Sequence, residues 1–253
     1  MILNRIPLFI RRHHWLGLLL ALLWLPSLAC DVPGDVELPI GGPPPTATPP
    51  GDTISYKLPL YTTSLAPGET VPGTQLTYVE PNAGAYQVSI NGQSATRRLG
   101  DSFIWDGVLA PGVYGNYNLR ITRELRGELP VTGPVELVVF NPVPIATDGP
   151  PTENIHLDYS GILVNYLAPV GREIPGTTMT FVGVRQQGEG DQTIQQVELS
   201  GISGYNLFAI GDSLVWHGRL RDNVAVSYDM RVTGINENGL RLTGEVDLFI
   251  LQP

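Results

Sequence analysis

Nucleophilic or metal chemistry in this chain would have to run through very few residues. The only cysteine is Cys30, and beyond it the only histidines are His156 and His217. A zinc site gathers roughly three or four Cys, His or carboxylate ligands at one point, and a serine relay needs a histidine beside its nucleophile. No serine stands in a Gly-x-Ser-x-Gly elbow. Asp101, Asp106 and Asp212 lie near turn residues, and Gly188–Gln192 reads as an acidic turn, but no stretch has the alternating acids and central glycine of a calcium loop. The sequence therefore predicts no catalytic set, no metal and no cofactor, hence a chain that is not an enzyme.

The cysteine has another use. The opening MILNRIPLFIRRHHWLGLLLALLWLPSLAC places Arg5, Arg11 and Arg12 before an apolar run from Trp15 to Leu25, which Pro26 ends. That run is shorter than the ~20 residues a membrane helix needs, and a basic flank before a short apolar core is the pattern of an export signal. Ser27-Leu28-Ala29-Cys30 resembles the lipobox of bacterial lipoproteins. The resemblance implies cleavage after residue 29, acylation of Cys30, and a membrane tether on the extracytoplasmic side of a bacterial envelope. Several acyl chains hold durably where one holds weakly. Residues 30–52 carry seven prolines among glycines, threonines and acids with no periodic apolar face, as expected of an unfolded, semi-stiff spacer. The chain has 15 basic and 24 acidic residues and a formal net charge of -9, which disfavours nucleic acid as a partner.

What must position any site is legible from a duplication. GDSFIWDGVL at Gly100–Leu109 returns as GDSLVWHGRL at Gly211–Leu220, VPGTQLTYV as IPGTTMTFV, YNLRIT as YDMRVT, and GPVELVVF as GEVDLFIL. Leu65-Ala66-Pro67 aligns with Leu167-Ala168-Pro169. From Leu99 to Phe140 the two copies align without a gap. Two repeats, 53–143 and 155–253, are expected on either side of a Pro-rich linker at 144–154.

Within each repeat the apolar residues alternate, the signature of half-buried strands. Phe103, Trp105, Gly107 and Leu109 share one face, matched by Leu214, Trp216, Gly218 and Leu220; Ser102, Ile104, Asp106 and Val108 share the other. Trp105 and Trp216 are expected to be structural core rather than a sugar platform, and each Gly-Asp pair to form the turn that starts a strand. Short strands between Gly, Pro, Asn and Asp predict an all-β fold of two tandem antiparallel β-sandwich domains. The order PGTxLTY, GDSxxWxG, YxLRIT resembles the immunoglobulin-like repeat found in tandem in bacterial cell-surface proteins. That resemblance implies stalks, adhesins and envelope modules, with no catalytic residues to carry over.

The second repeat is longer than the first in GVRQQGEGDQTIQQ and again in GISGYNLFAI. Loops are where a structural repeat acquires recognition, which makes Tyr205 and Phe208 a candidate interaction loop. The function expected is a membrane-anchored structural or interaction lipoprotein that meets an envelope protein or glycan. The alternative is a carbohydrate-binding accessory module using Tyr61, Tyr86, Tyr114, Tyr205 and Phe208. A small-molecule hydrolase would need a deep pocket at His156 or His217.

Overall fold

A computed structural model describes residues 52–187, 194–236 and 238–252. Among these the protein is all-β and antiparallel, without a helix. The first repeat supplies β1 (Thr53–Leu65), β2 (Leu76–Asn82), β3 (Ala85–Ile90), β4 (Gln93–Arg97), β5 (Ser102–Ala110), β6 (Val113–Ile121) and β7 (Leu129–Phe140). The second supplies β9 (Ile155–Ala168), β10 (Thr180–Gln187), β11 (Ile194–Ser200), β12 (Leu207–Ala209), β13 (Ser213–Arg221), β14 (Val224–Asn236) and β15 (Gly239–Leu251), with the two-residue β8 (Ile145–Ala146) between them.

Each repeat folds into a large sheet and a small three-stranded meander. The large sheets run β1-β7-β6-β5 and β8-β13-β14-β15-β9; the small ones run β2-β3-β4 and β10-β11-β12. Cross-strand pairs make one face of each large sheet apolar. Trp105 stands opposite Tyr117 and Phe103 opposite Leu119, as Trp216 stands opposite Tyr228 and Leu214 opposite Met230. Along β6 every second residue from Val113 to Ile121 is buried, and the alternation of β13 leaves Val215 open to water between buried Leu214 and Trp216. The stretch between the repeats is not wholly a linker: Ile145 and Ala146 pair with Arg219 and Gly218 on the edge of β13.

The residues from 52 onward form one compact unit with one continuous hydrophobic cluster drawn from both repeats. The repeats meet through reciprocal contacts. The Tyr56 hydroxyl of β1 lies 2.7 Å from that of Tyr228 on β14, and the Tyr159 hydroxyl of β9 lies 2.5 Å from that of Tyr117 on β6. Tyr56 and Tyr159 are equivalent, since they pair with the equivalent Leu137 and Leu248. The turn glycines behave alike: Gly73 packs against Leu157 and Gly176 against Ile54. The β13–β14 turn also touches the first repeat, Asn223 donating to the Pro111 carbonyl of the equivalent β5–β6 turn at 3.1 Å and Arg221 to the Phe140 carbonyl at the end of β7 at 2.5 Å. Reciprocity of this kind is the mark of an isologous interface, realised here within one chain.

The structure shifts one alignment. Leu65 pairs with Leu129, and its structural counterpart is Ala168, which pairs with Leu240; Leu167 is 49% exposed. Matching the two Leu-Ala-Pro triplets places the strands one residue out of step, and a one-residue step exchanges the core face for the solvent face.

Candidate functional site

The twice-written motif builds the same turn twice. Gly100 and Gly211 have φ of 85° and 97°, a left-handed conformation that glycine adopts without strain. The next residue closes the turn through its side chain: Asp101 accepts from the Arg98 amide and Asp212 from the Ala209 amide, each at 2.8 Å. Backbone bonds then lock the turn to the neighbouring strand, Gly100 N–H to the Ile121 carbonyl and Gly211 N–H to that of Val232, both at 2.8 Å. These aspartates are therefore turn locks.

The tryptophans occupy the floor of the core, 6% and 4% exposed. Each meets its cross-strand tyrosine edge to face, at 5.7 Å for Trp105 and Tyr117 and 5.9 Å for Trp216 and Tyr228. Each also lies over the glycine two residues on. A Cβ on Gly107 would stand 2.5 Å from the Trp105 ring and one on Gly218 2.1 Å from the Trp216 ring. That contact explains the Trp-x-Gly spacing in both copies. The Trp216 indole N–H also donates to Thr178 Oγ1 at 3.1 Å. Burying an indole of this size contributes roughly 4–6 kcal/mol of transfer free energy as an upper bound.

The tyrosine hydroxyls that join the repeats are held neutral. Burial raises the pKa of Tyr56, Tyr117, Tyr159 and Tyr228 well above the ordinary phenol value. Tyr228 also donates to the Pro175 carbonyl at 3.2 Å, which leaves Tyr56 to donate to Tyr228. The four phenols form two hydrogen-bonded pairs within the hydrophobic cluster, a role the sequence reading did not assign them; their signal was a tyrosine at matching places in both copies.

The histidines are not brought together. His217 and His156 lie on β13 and β9, three strand spacings apart, roughly 14 Å across the sheet. His156 is exposed, at the bulge where β9 slips against β15. His217 begins a polar row on the open face of the sheet: its Nδ1 lies 2.9 Å from Ser227 Oγ, and Ser227 stands opposite Asp247. A relay needs the histidine between serine and acid. Here the serine lies between, and the Asp247 carboxylate accepts from the Gly161 amide at 3.0 Å. Among the described residues no group of three or more His, Cys, Asp or Glu converges to hold a metal ion, and no helix is long and apolar enough to cross a membrane.

The surviving recognition candidates are sparse. Phe208 is 9% exposed and lines the core, whereas Tyr205 is 65% exposed and meets it edge to face at 6.2 Å. Gln196 donates to the Tyr205 hydroxyl at 3.3 Å. Tyr61 packs between Tyr117 and Tyr159, Tyr86 against Tyr78, and Tyr114 donates to Asp106 at 2.5 Å. These aromatics do not form one platform. A shallow recess of about 390 Å³ lies at one end of the second repeat, lined by Pro151, Glu153, Asn154, Arg219, Asp222 and Gln252 among others. Cys30, the signal at 1–29, the acidic turn at 188–192 and nearly all of the 30–52 spacer lie outside the described residues. No family model, curated protein or solved structure matches the chain.

Proposed function

We propose that this chain is a membrane-anchored extracytoplasmic lipoprotein of structural and interaction type, built of two immunoglobulin-like sandwich repeats held off the membrane by its Pro-rich spacer. The observation that supports it is the use of the duplicated residues. Gly100/Gly211, Asp101/Asp212, Trp105/Trp216, Gly107/Gly218 and Tyr117/Tyr228 all go to turns and core. The solvent faces diverge between the copies, with Asp106 where the second repeat has His217 and Val108 where it has Arg219. A scaffold kept constant beneath changing surfaces suits presentation to a partner better than catalysis. The export signal and the single cysteine behind it supply the anchor, and the partner is an envelope protein or glycan rather than nucleic acid.

The test has two arms. Mass spectrometry of the mature chain from membranes is expected to show an acylated N-terminal Cys30; an unmodified N-terminus elsewhere contradicts the anchor. Crosslinking in intact cells, followed by affinity capture, is expected to recover an envelope component. Recovery of none, together with no envelope defect on deletion, contradicts the interaction role.

A carbohydrate-binding accessory role keeps one observation in its favour, the open ring of Tyr205 with the Gln196 amide beside it. Affinity electrophoresis in polysaccharide gels separates the two readings. Retardation relieved by Tyr205→Ala selects the glycan role.

A further inference from the structure

The two repeats differ at one place where symmetry would make them alike. On the second, the edge of β13 is covered by β8, with Ala146 opposite Gly218 and Ile145 opposite Arg219. The bonds continue beyond the short strand, Thr147 N–H to the His217 carbonyl at 2.9 Å and Val143 N–H to that of Leu220 at 2.7 Å. The covering stretch is Pro142-Val143-Pro144-Ile145-Ala146-Thr147. On the first repeat, β5 is the equivalent strand, and among the described residues no strand pairs with its outer edge, where Arg97 Nε donates to the Ser102 carbonyl at 3.2 Å near its start.

A bare edge presents a row of unpaired N–H and C=O groups to other chains, and proteins blunt such edges with lysine, proline or a cover. β5 contains neither lysine nor proline; on its solvent face Asp106 is the one charge and accepts from Tyr114, while Ile104 and Val108 are 44% and 71% exposed. β5 also has glycine, Gly107, at the position where the covered strand has Gly218. A Cβ on Gly218 would stand 2.6 Å from the Ile145 carbonyl oxygen as well as against the Trp216 ring, and Gly107 holds the equivalent place on β5, where a Cβ would meet the Trp105 ring.

We propose that the outer edge of β5 is a strand-addition site, which takes up an extended segment of a partner protein in the register that β8 adopts on β13. The segment it fits is proline-flanked, Pro-x-Pro-Φ-Ala-Thr, with Φ a β-branched apolar residue. Edge addition draws affinity from main-chain bonds and selectivity from alternate side chains. The site of Arg219 on the second repeat is held by Val108 on the first, so the residue facing Val108 is apolar. The chain repeats the pattern at Pro43–Thr48, but with Thr46 at Φ, which makes a partner strand with Ile or Val the better match. This site deepens the reading of the chain as an interaction module and rests on it.

The test is amide hydrogen exchange on the full chain with the synthetic peptide Asn-Pro-Val-Pro-Ile-Ala-Thr-Asp. The peptide is expected to slow exchange of β5 amides around Asp106–Val108 saturably, while a scrambled peptide does not. Val108→Lys, at an exposed position, is expected to weaken binding about tenfold with an unchanged melting profile. Unchanged β5 exchange at millimolar peptide overturns the proposal. So does protection of β5 before peptide is added that is lost when Pro43–Thr48 is scrambled, since that assigns the edge to the chain's own leading stretch. A negative peptide result leaves partner capture from membranes as an independent test of the interaction role.

Discussion

The hydroxyls of Tyr56 and Tyr228 lie 2.7 Å apart although the residues are separated by 172 positions, and the bond is buried where the two repeats meet. Its counterpart joins Tyr117 to Tyr159 at 2.5 Å. Each repeat thus lends one tyrosine of its first strand and one from the middle of its large sheet to the other. The duplicated sequence forms one body stitched by reciprocal contacts.

The Tyr56 and Tyr228 pair is asymmetric, because Tyr228 has the Pro175 carbonyl as a further partner. Tyr56→Phe leaves Tyr228 bonded and is expected to cost about 1 kcal/mol. Tyr228→Phe strands both the Tyr56 hydroxyl and the Pro175 carbonyl and is expected to cost about 2–3 kcal/mol. Urea titrations of both variants and the double variant test this. The double variant is expected to be less destabilised than the sum of the singles.

The Trp-x-Gly spacing predicts a cost for a single methyl. Gly218→Ala drives a Cβ into the Trp216 ring and the Ile145 carbonyl oxygen and is expected to lower stability by about 1–3 kcal/mol. Gly183→Ala, where no heavy atom lies within 4 Å of the new Cβ, is expected to be neutral within about 0.5 kcal/mol. Thermal melting of the two variants compares them directly.

The turn aspartates act as hydrogen-bond acceptors. Asp212→Ala removes the acceptor for the Ala209 amide and is expected to cost about 1 kcal/mol. Asp212→Asn keeps a side-chain oxygen and is expected to cost less than half as much. Equal losses in denaturant midpoints for the two substitutions contradict the acceptor role.

Much of this architecture was legible from residue spacing. Period-two alternation on either side of Trp105 and Trp216 identified the strands and their inner faces, because a half-buried strand forces that pattern whatever its partners. Gly100-Asp101 and Gly211-Asp212 declared turns through their own chemistry. The docking of the repeats was not legible in this way: a tyrosine recurs at matching places, Tyr56 and Tyr159, but nothing in that spacing names the tyrosine across the interface. The cover formed by Ile145 and Ala146 was likewise hidden, since Pro-rich composition describes an exposed joint and an added edge strand equally well. Of the recognition candidates, composition marked Tyr205 and Phe208 alike, but only the fold distinguishes the open ring from the buried one.

The buried phenols set a limit at high pH. Their folded-state pKa values are raised above the ordinary 10.0 by burial. The unfolded chain therefore releases these protons first, and the stability they contribute is complete below pH 10 and declines as pH rises beyond it. Denaturant midpoints are expected to be insensitive to these groups between pH 7 and about 9 and to fall steeply above about 10.5. Ultraviolet titration is expected to show the four phenols ionising only as the fold is lost.

The claim that both repeats share one core is tested most directly by scanning calorimetry of the intact chain and the Tyr228→Phe variant. One body predicts a single transition, with calorimetric and van't Hoff enthalpies equal, that moves as a whole to lower temperature in the variant. Two resolved transitions, only one of which shifts, would contradict it.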